Sequence, residues 1–191
     1  MQAFRASLAA VTLALASSQA MAYNLVENGN FAIGSLGGWT IASEGQAHTT
    51  LYGGNGNNVA QLGPGAFELS QVIPVGAPTA YVVDFDWAPL SAASPQSMDF
   101  LVVVNNTVLL STTLSGTSPS GQESFLHYHS SFALPTSLGY TAAQIVFRNS
   151  GTLNTAGIVI DNVSVVPEPG TWAMALVGVA ALALMRRRQR R

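Results

Sequence analysis

Asp84 and Asp86 stand two residues apart in Tyr81-Val82-Val83-Asp84-Phe85-Asp86-Trp87, and His127 and His129 stand two apart in Phe125-Leu126-His127-Tyr128-His129. Side chains alternate faces along a strand. Tyr81, Val83, Phe85 and Trp87 are therefore expected to face a core with Leu126 and Tyr128, leaving both acids and both histidines outward. Arg148, opposite in phase to Ile145 and Phe147, is outward by the same rule. If the three segments are neighbours in one sheet, Asp84, Asp86, His127, His129 and Arg148 form a polar patch able to hydrogen-bond sugar hydroxyls or hold a metal. If they are not, these are solvated positions on separate strands.

Catalysis is a poor fit to the same residues. Asp84 and Asp86 would lie about 6.6 Å apart along the chain, a separation that suits a glycosidase pair only when the two carboxylates flank a scissile bond in a cleft. Two acids on one strand face do not flank anything. His127 and His129 offer two metal ligands, with no third fixed by spacing. Trp87 reads either as a sugar-stacking platform or as core. No nucleophile motif, phosphate loop or hydride-cofactor fingerprint occurs, and the chain is not expected to be an enzyme.

The elements that must position these residues are strands. Short apolar, β-branched segments recur between Gly, Pro, Asn and Ser clusters, without a sustained helical period. Strands are expected near Leu25 to Phe31, Trp39 to Ala42, His48 to Leu51, Val59 to Leu62, Phe67 to Ile73, Ala80 to Ala88, Met98 to Val104, Thr107 to Thr112, Ser124 to Leu134, Ala143 to Asn149 and Ile158 to Val165. Asn105-Asn106 marks the clearest hairpin, because Asn tolerates the positive φ of a primed two-residue turn. Gly53 to Asn58 reads as a loop. The fold expected is all-β, a two-sheet jelly-roll β-sandwich over residues 23–166.

Charge narrows the partners. The stretch from Tyr23 to Val166 holds one arginine against eight acids, a formal charge of −7, and there is no lysine in the chain. Such a surface repels phosphate backbones, so nucleic acid is excluded as a partner, whereas a neutral glycan or a cation is compatible. Charged residues make up 8% of the chain, far below the roughly 25% of ordinary soluble domains. Ser, Thr, Asn and Gly carry the polar surface instead. Cysteine is absent, so neither disulfides nor thiolate chemistry contributes.

Both termini read as targeting segments. Arg5, the apolar Leu8 to Leu15 and the small-x-small Ala20-Met21-Ala22 predict a signal peptide over residues 1–22, cut by signal peptidase between Ala22 and Tyr23. At the other end, Val166-Pro167-Glu168-Pro169-Gly170 precedes an uncharged run from Thr171 to Met185, closed by Arg186, Arg187, Arg188, Arg190 and Arg191. Pro167 and Pro169 fix two φ angles and favour extended backbone before them. As a helix, 171–185 rises about 22 Å, short of the roughly 30 Å hydrocarbon core, and the arginines can snorkel to make up part of the deficit. They also place the C-terminus on the cytoplasmic side.

Pro167-Glu168-Pro169, a short apolar helix and a terminal Arg cluster resemble the PEP-CTERM sorting signal, which is also described as a C-terminal domain of ice-binding proteins. The resemblance implies an exopolysaccharide-producing Gram-negative host and a membrane-embedded exosortase that cuts near the motif after transient inner-membrane anchoring. The protein would then act at the outer surface or in the extracellular matrix, in a structural or adhesive role beside polysaccharide. Ice binding finds no support in the domain: Thr49-Thr50 and Thr112-Thr113 are isolated pairs, not a periodic array.

The opening Asn24-Leu25-Val26-Glu27-Asn28-Gly29-Asn30-Phe31, the following Gly38-Trp39 and the closing Ile158-Val159-Ile160-Asp161-Asn162-Val163-Ser164-Val165 resemble the galactose-binding-like β-sandwich of many carbohydrate-binding modules. The resemblance implies that the two ends of the domain lie side by side and that Trp39 fills the core. It also implies a glycan-binding role as the alternative function, and a structural calcium held partly by Asp161. Ala32 stands where the second carboxylate of such a site is expected, leaving Glu27 or loop carbonyls to compensate.

Overall fold

Strand alternation is realised most cleanly in two interior strands that carry the aromatic core. The computed structural model describes residues 23–42, 47–52, 57–63, 67–76, 79–91, 94–118, 125–138, 140–149 and 157–168. These form ten strands: β1 (Thr40–Ala42), β2 (Ala47–Tyr52), β3 (Asn57–Leu62), β4 (Phe67–Gly76), β5 (Ala80–Pro89), β6 (Gln96–Val104), β7 (Thr107–Gly116), β8 (Leu126–Ala133), β9 (Tyr140–Asn149) and β10 (Ile158–Pro167). They build two five-stranded sheets, one in the order β1-β4-β9-β6-β7 and the other β2-β3-β10-β5-β8. The compact unit that contains them is Asn24–Val166. The fold is an all-β sandwich.

Tyr81, Val83, Phe85 and Trp87 of β5 are buried, as are Met98, Phe100, Val102 and Val104 of β6. Between the sheets the rings condense. Phe85 lies 4.7 Å from Tyr128, 5.0 Å from Phe100 and 5.0 Å edge-on from Phe147, and Trp39 bridges Phe31 and Phe147 at 5.7 and 6.0 Å. Trp87 belongs to this core, which resolves it away from sugar stacking. At the rim the Tyr128 hydroxyl meets Thr112 Oγ1 at 3.0 Å, tying β8 to β7 across the two sheets. The Asn105-Asn106 turn is as expected, with φ of 48° and 62° and Val104 opposite Thr107. Of the loop at Gly53 to Asn58, Asn57 and Asn58 lie in β3, and 53–56 are outside the described residues.

One expected strand is not formed. Within Leu25 to Phe31 the chain turns at residues 27–30, with Asn28 and Phe31 both at φ 49°. It nevertheless lies against β10: Leu25 N–H donates to Val165 O at 2.8 Å and Val163 N–H to Gly29 O at 2.9 Å. Register with β3 is confined to Ile158, Ile160 and the residue between them, so the later donors of β10 need another partner, and the N-terminal segment supplies it. A side chain at residue 29 would overlap the Val163 carbonyl, which is why glycine stands there. Glu27 is held by the Gln71 amide instead of a strand, its N–H donating to Oε1 at 2.8 Å and its carbonyl accepting from Nε2 at 2.9 Å.

Candidate functional site

The outward side of β5 meets the outward side of β8 at the edge of its sheet. Asp84 sits opposite His129 and Asp86 opposite His127 in the antiparallel register, so two acids and two histidines form a block in which each carboxylate faces an imidazole. His129 Nδ1 lies 2.6 Å from Asp84 Oδ1, and His127 Nδ1 lies 2.8 Å from Asp86 Oδ1. His127 also reaches across the diagonal, Nε2 standing 3.3 Å from Asp84 Oδ1. Both rings are more than half exposed, at 61% and 65%, while Asp84 and Asp86 are 26% and 28% exposed. Tyr128 packs inward between the histidines. Leu126, expected inward, is 48% exposed at the start of the edge strand, beyond the reach of the core.

Arg148 is not part of this block. It points outward as alternation requires, but β9 lies in the other sheet, where the register sets it between Glu68 of β4 and Asp99 of β6. Its Nη2 donates to Glu68 Oε2 at 2.9 Å. The five-residue patch is thereby reduced to four.

Two residues that alternation alone did not flag extend the block across the sheet. Ile160 and Val163 both face the core, so the intervening Asp161 and Asn162 are both displaced outward as a bulge, with Asn162 at φ 52°. The Asn162 amide donates from Nδ2 to Asp86 Oδ2 at 2.9 Å. Asp161 accepts from Asn57 Nδ2 and from the Asn162 backbone N–H, both at 2.8 Å. The run Asn57, Asp161, Asn162, Asp86, His127, Asp84, His129 is one continuous polar band over β3, β10, β5 and β8. The sequence signal for Asn162 was the broken alternation of Ile160-Asp161-Asn162-Val163.

Burial raises the pKa of Asp161 above its ordinary value, opposed by the hydrogen bonds from Asn57 and Asn162 and reinforced by the nearby Asp86 charge. Toward a calcium site these residues bring a single carboxylate. A hard cation wants six to eight oxygens, yet both oxygens of Asp161 already accept from N–H donors, and Ala32 brings no carboxylate. Glu27 is exposed and engaged beside Gly38 and Gln71, on the β4 side of the segment.

The hydrogen bond that His127 donates to Asp86 is the largest influence on its pKa and raises it above 6.5, with the charges of Asp86 and Asp84 adding to it and desolvation opposing. In the metal-free protein His127 is expected to titrate above 6.5 by NMR of the ring carbon-bound protons, and Asp86→Asn should move it back down. An unchanged titration in the variant would mean that the Asp86 contact is not kept in solution. The linked stabilisation is present below about 6.5 and lost as pH rises through the folded value. It is small, because the ring is solvent-exposed.

Residues 165–191 match the PEP-CTERM protein-sorting motif. A chain ending in this motif is exported. The anticipated helix at 171–185 and the N-terminal residues 1–22 lie outside the described residues, among which no helix is long and apolar enough to cross a membrane. No curated protein matches the sequence. Solved structures define the sandwich class. The chain is 18% identical to a cyclase from Fischerella sp. TAU, with 78% of this chain and 98% of that one aligned at a TM-score of 0.62. It is 17% identical to a family 16 carbohydrate-binding module, over 74% and 99% at 0.54. A third similarity, 19% identical over 75% of the chain at 0.54, is to the enzymatically active domain of bacteriophage CBA120 tailspike protein 4, of which it spans only 21%. Binding modules and enzymes share this fold, so the fold alone does not choose between them.

Proposed function

We propose that the protein is an exported, non-catalytic component of an extracellular polysaccharide matrix, with a structural or adhesive role, delivered through its C-terminal sorting tail. The observation that carries this reading is the sorting motif at 165–191, which begins within the last strand of a β-sandwich. The non-catalytic reading is supported by the acids themselves: Asp84 and Asp86 lie on one sheet face and both contact His127, an arrangement unlike two carboxylates flanking a bond in a cleft. Residues 1–22 are read as a signal peptide removed between Ala22 and Tyr23, and 171–185 as a transient inner-membrane helix with a cytoplasmic Arg cluster. Fractionating the host culture tests the proposal. The protein should accumulate with extracellular polysaccharide, and recovery only from the cytoplasm or periplasm would overturn it.

A carbohydrate-binding role with a defined glycan site is the second reading, favoured by the polar band from Asn57 to His129 and by the fold shared with carbohydrate-binding modules. Affinity electrophoresis of the purified chain through polysaccharide-containing gels separates the two. Saturable retardation by one sugar class, weakened by Asp84→Ala, supports a glycan site. Migration unaffected by any polysaccharide leaves the structural role.

A further inference from the structure

We propose that Asp84, His127 and His129 form a binding site for a divalent first-row transition ion such as zinc, with Asp86 and Asn162 as its supporting shell. One ligand atom from each of the three lies within 4.8 Å of the others. Two imidazoles and a carboxylate are a donor set suited to zinc, copper or nickel. Three protein ligands leave positions open to water or to a group on a partner.

The supporting contacts distinguish this cluster from an ordinary surface ion pair. His127 turns Nδ1 to Asp86 Oδ1 at 2.8 Å and Nε2 to the Asp84–His129 pair. With the Nδ1 proton donated to Asp86, the lone pair of Nε2 faces the same point as Asp84 Oδ1, which is the carboxylate–histidine arrangement that orients metal-bound imidazoles. Asp86 is itself fixed through its other oxygen by Asn162 Nδ2, and Asn162 is held by the β10 bulge. The separation of 3.3 Å between His127 Nε2 and Asp84 Oδ1 matches the spacing of two ligands that are each about 2.0–2.2 Å from a tetrahedral ion. His129 Nδ1, now at 2.6 Å from Asp84 Oδ1, has to open by several tenths of an ångström. Its ring is 65% exposed and free to do so. Binding would place the ion where the His129–Asp84 hydrogen bond now lies, with His129 ligating through Nδ1 as a neutral imidazole that carries its proton on Nε2.

The composition makes the test clean, because the chain has no cysteine and its third histidine is His48. Untagged full-length protein, stripped with chelator, is titrated with zinc in competition with a chromophoric indicator, and retained metal is counted by mass spectrometry after desalting. One zinc per chain is expected. His129→Ala and Asp84→Asn should each weaken binding by about 100-fold or more, Asp86→Asn by about 10–100-fold as an orienting partner, and His48→Ala should leave it unchanged. Circular dichroism checks that the variants keep their fold. No retained zinc, or wild-type affinity in His129→Ala, would overturn the site. Wild-type affinity in Asp86→Asn would overturn its supporting shell.

Discussion

Phe85→Ala is expected to destabilise the sandwich by about 3–5 kcal/mol, the usual cost of deleting a buried aromatic ring. Phe85 is fully buried and touches Tyr128, Phe100 and Phe147 at centroid distances of 4.7–5.0 Å, so it joins β5 to β8 within one sheet and to β6 and β9 across the core. Its neighbours are themselves large and ring-shaped, and cannot collapse into the space a benzyl group leaves. Urea unfolding measures the loss. A decrease below about 1 kcal/mol would mean that the ring cluster is much looser in solution than these distances require. On the opposite side of the same strand, substitutions at Asp84 or Asp86, which are held by hydrogen bonds to exposed histidines, should change stability by about 1 kcal/mol or less. The contrast separates what holds the sheet together from what the sheet displays.

The period-two pattern made the faces of β5, β8 and β9 legible, and with them the block of Asp84, Asp86, His127 and His129. It did not reveal sheet membership. Arg148 has the same phase relative to Ile145 and Phe147 as Asp84 has to Phe85, yet β9 belongs to the other sheet, because phase is local while strand order depends on the loops and on packing across the core. The segment from Leu25 to Phe31 misled for a related reason: its apolar residues are buried, but the chain turns at Asn28 and Phe31 and borrows the Gln71 amide where a strand would use backbone. Asn162 joined the band through a bulge, a tertiary accommodation that leaves only a break in alternation as its trace, and Asn57 joined it from β3 through its hydrogen bond to Asp161. Hairpin chemistry is the most local signal of all, and Asn105-Asn106 was read directly.

Glu168→Ala is expected to abolish C-terminal processing in the native host. β10 runs to Pro167, and Pro169 has no N–H to donate, so the sheet ladder cannot be carried through the motif. The peptide around Glu168 is therefore a place where an enzyme can grip extended backbone without unfolding the sandwich, and Glu168 supplies the only charge between the last strand and the apolar run. Mass spectrometry of wild-type protein from its host should find a C-terminus near Pro167 to Gly170, whereas the variant should retain Arg191 almost quantitatively. Loss of folding is not a competing explanation, since Glu168 lies outside the compact unit Asn24–Val166, and zinc or glycan binding by the variant would report an intact sandwich. A wild-type chain that still ends in Arg191 would sink the processing idea and leave a simple hydrophobic anchor. Equal processing of both chains would mean that the cutting enzyme reads the apolar helix and Arg cluster and ignores the carboxylate.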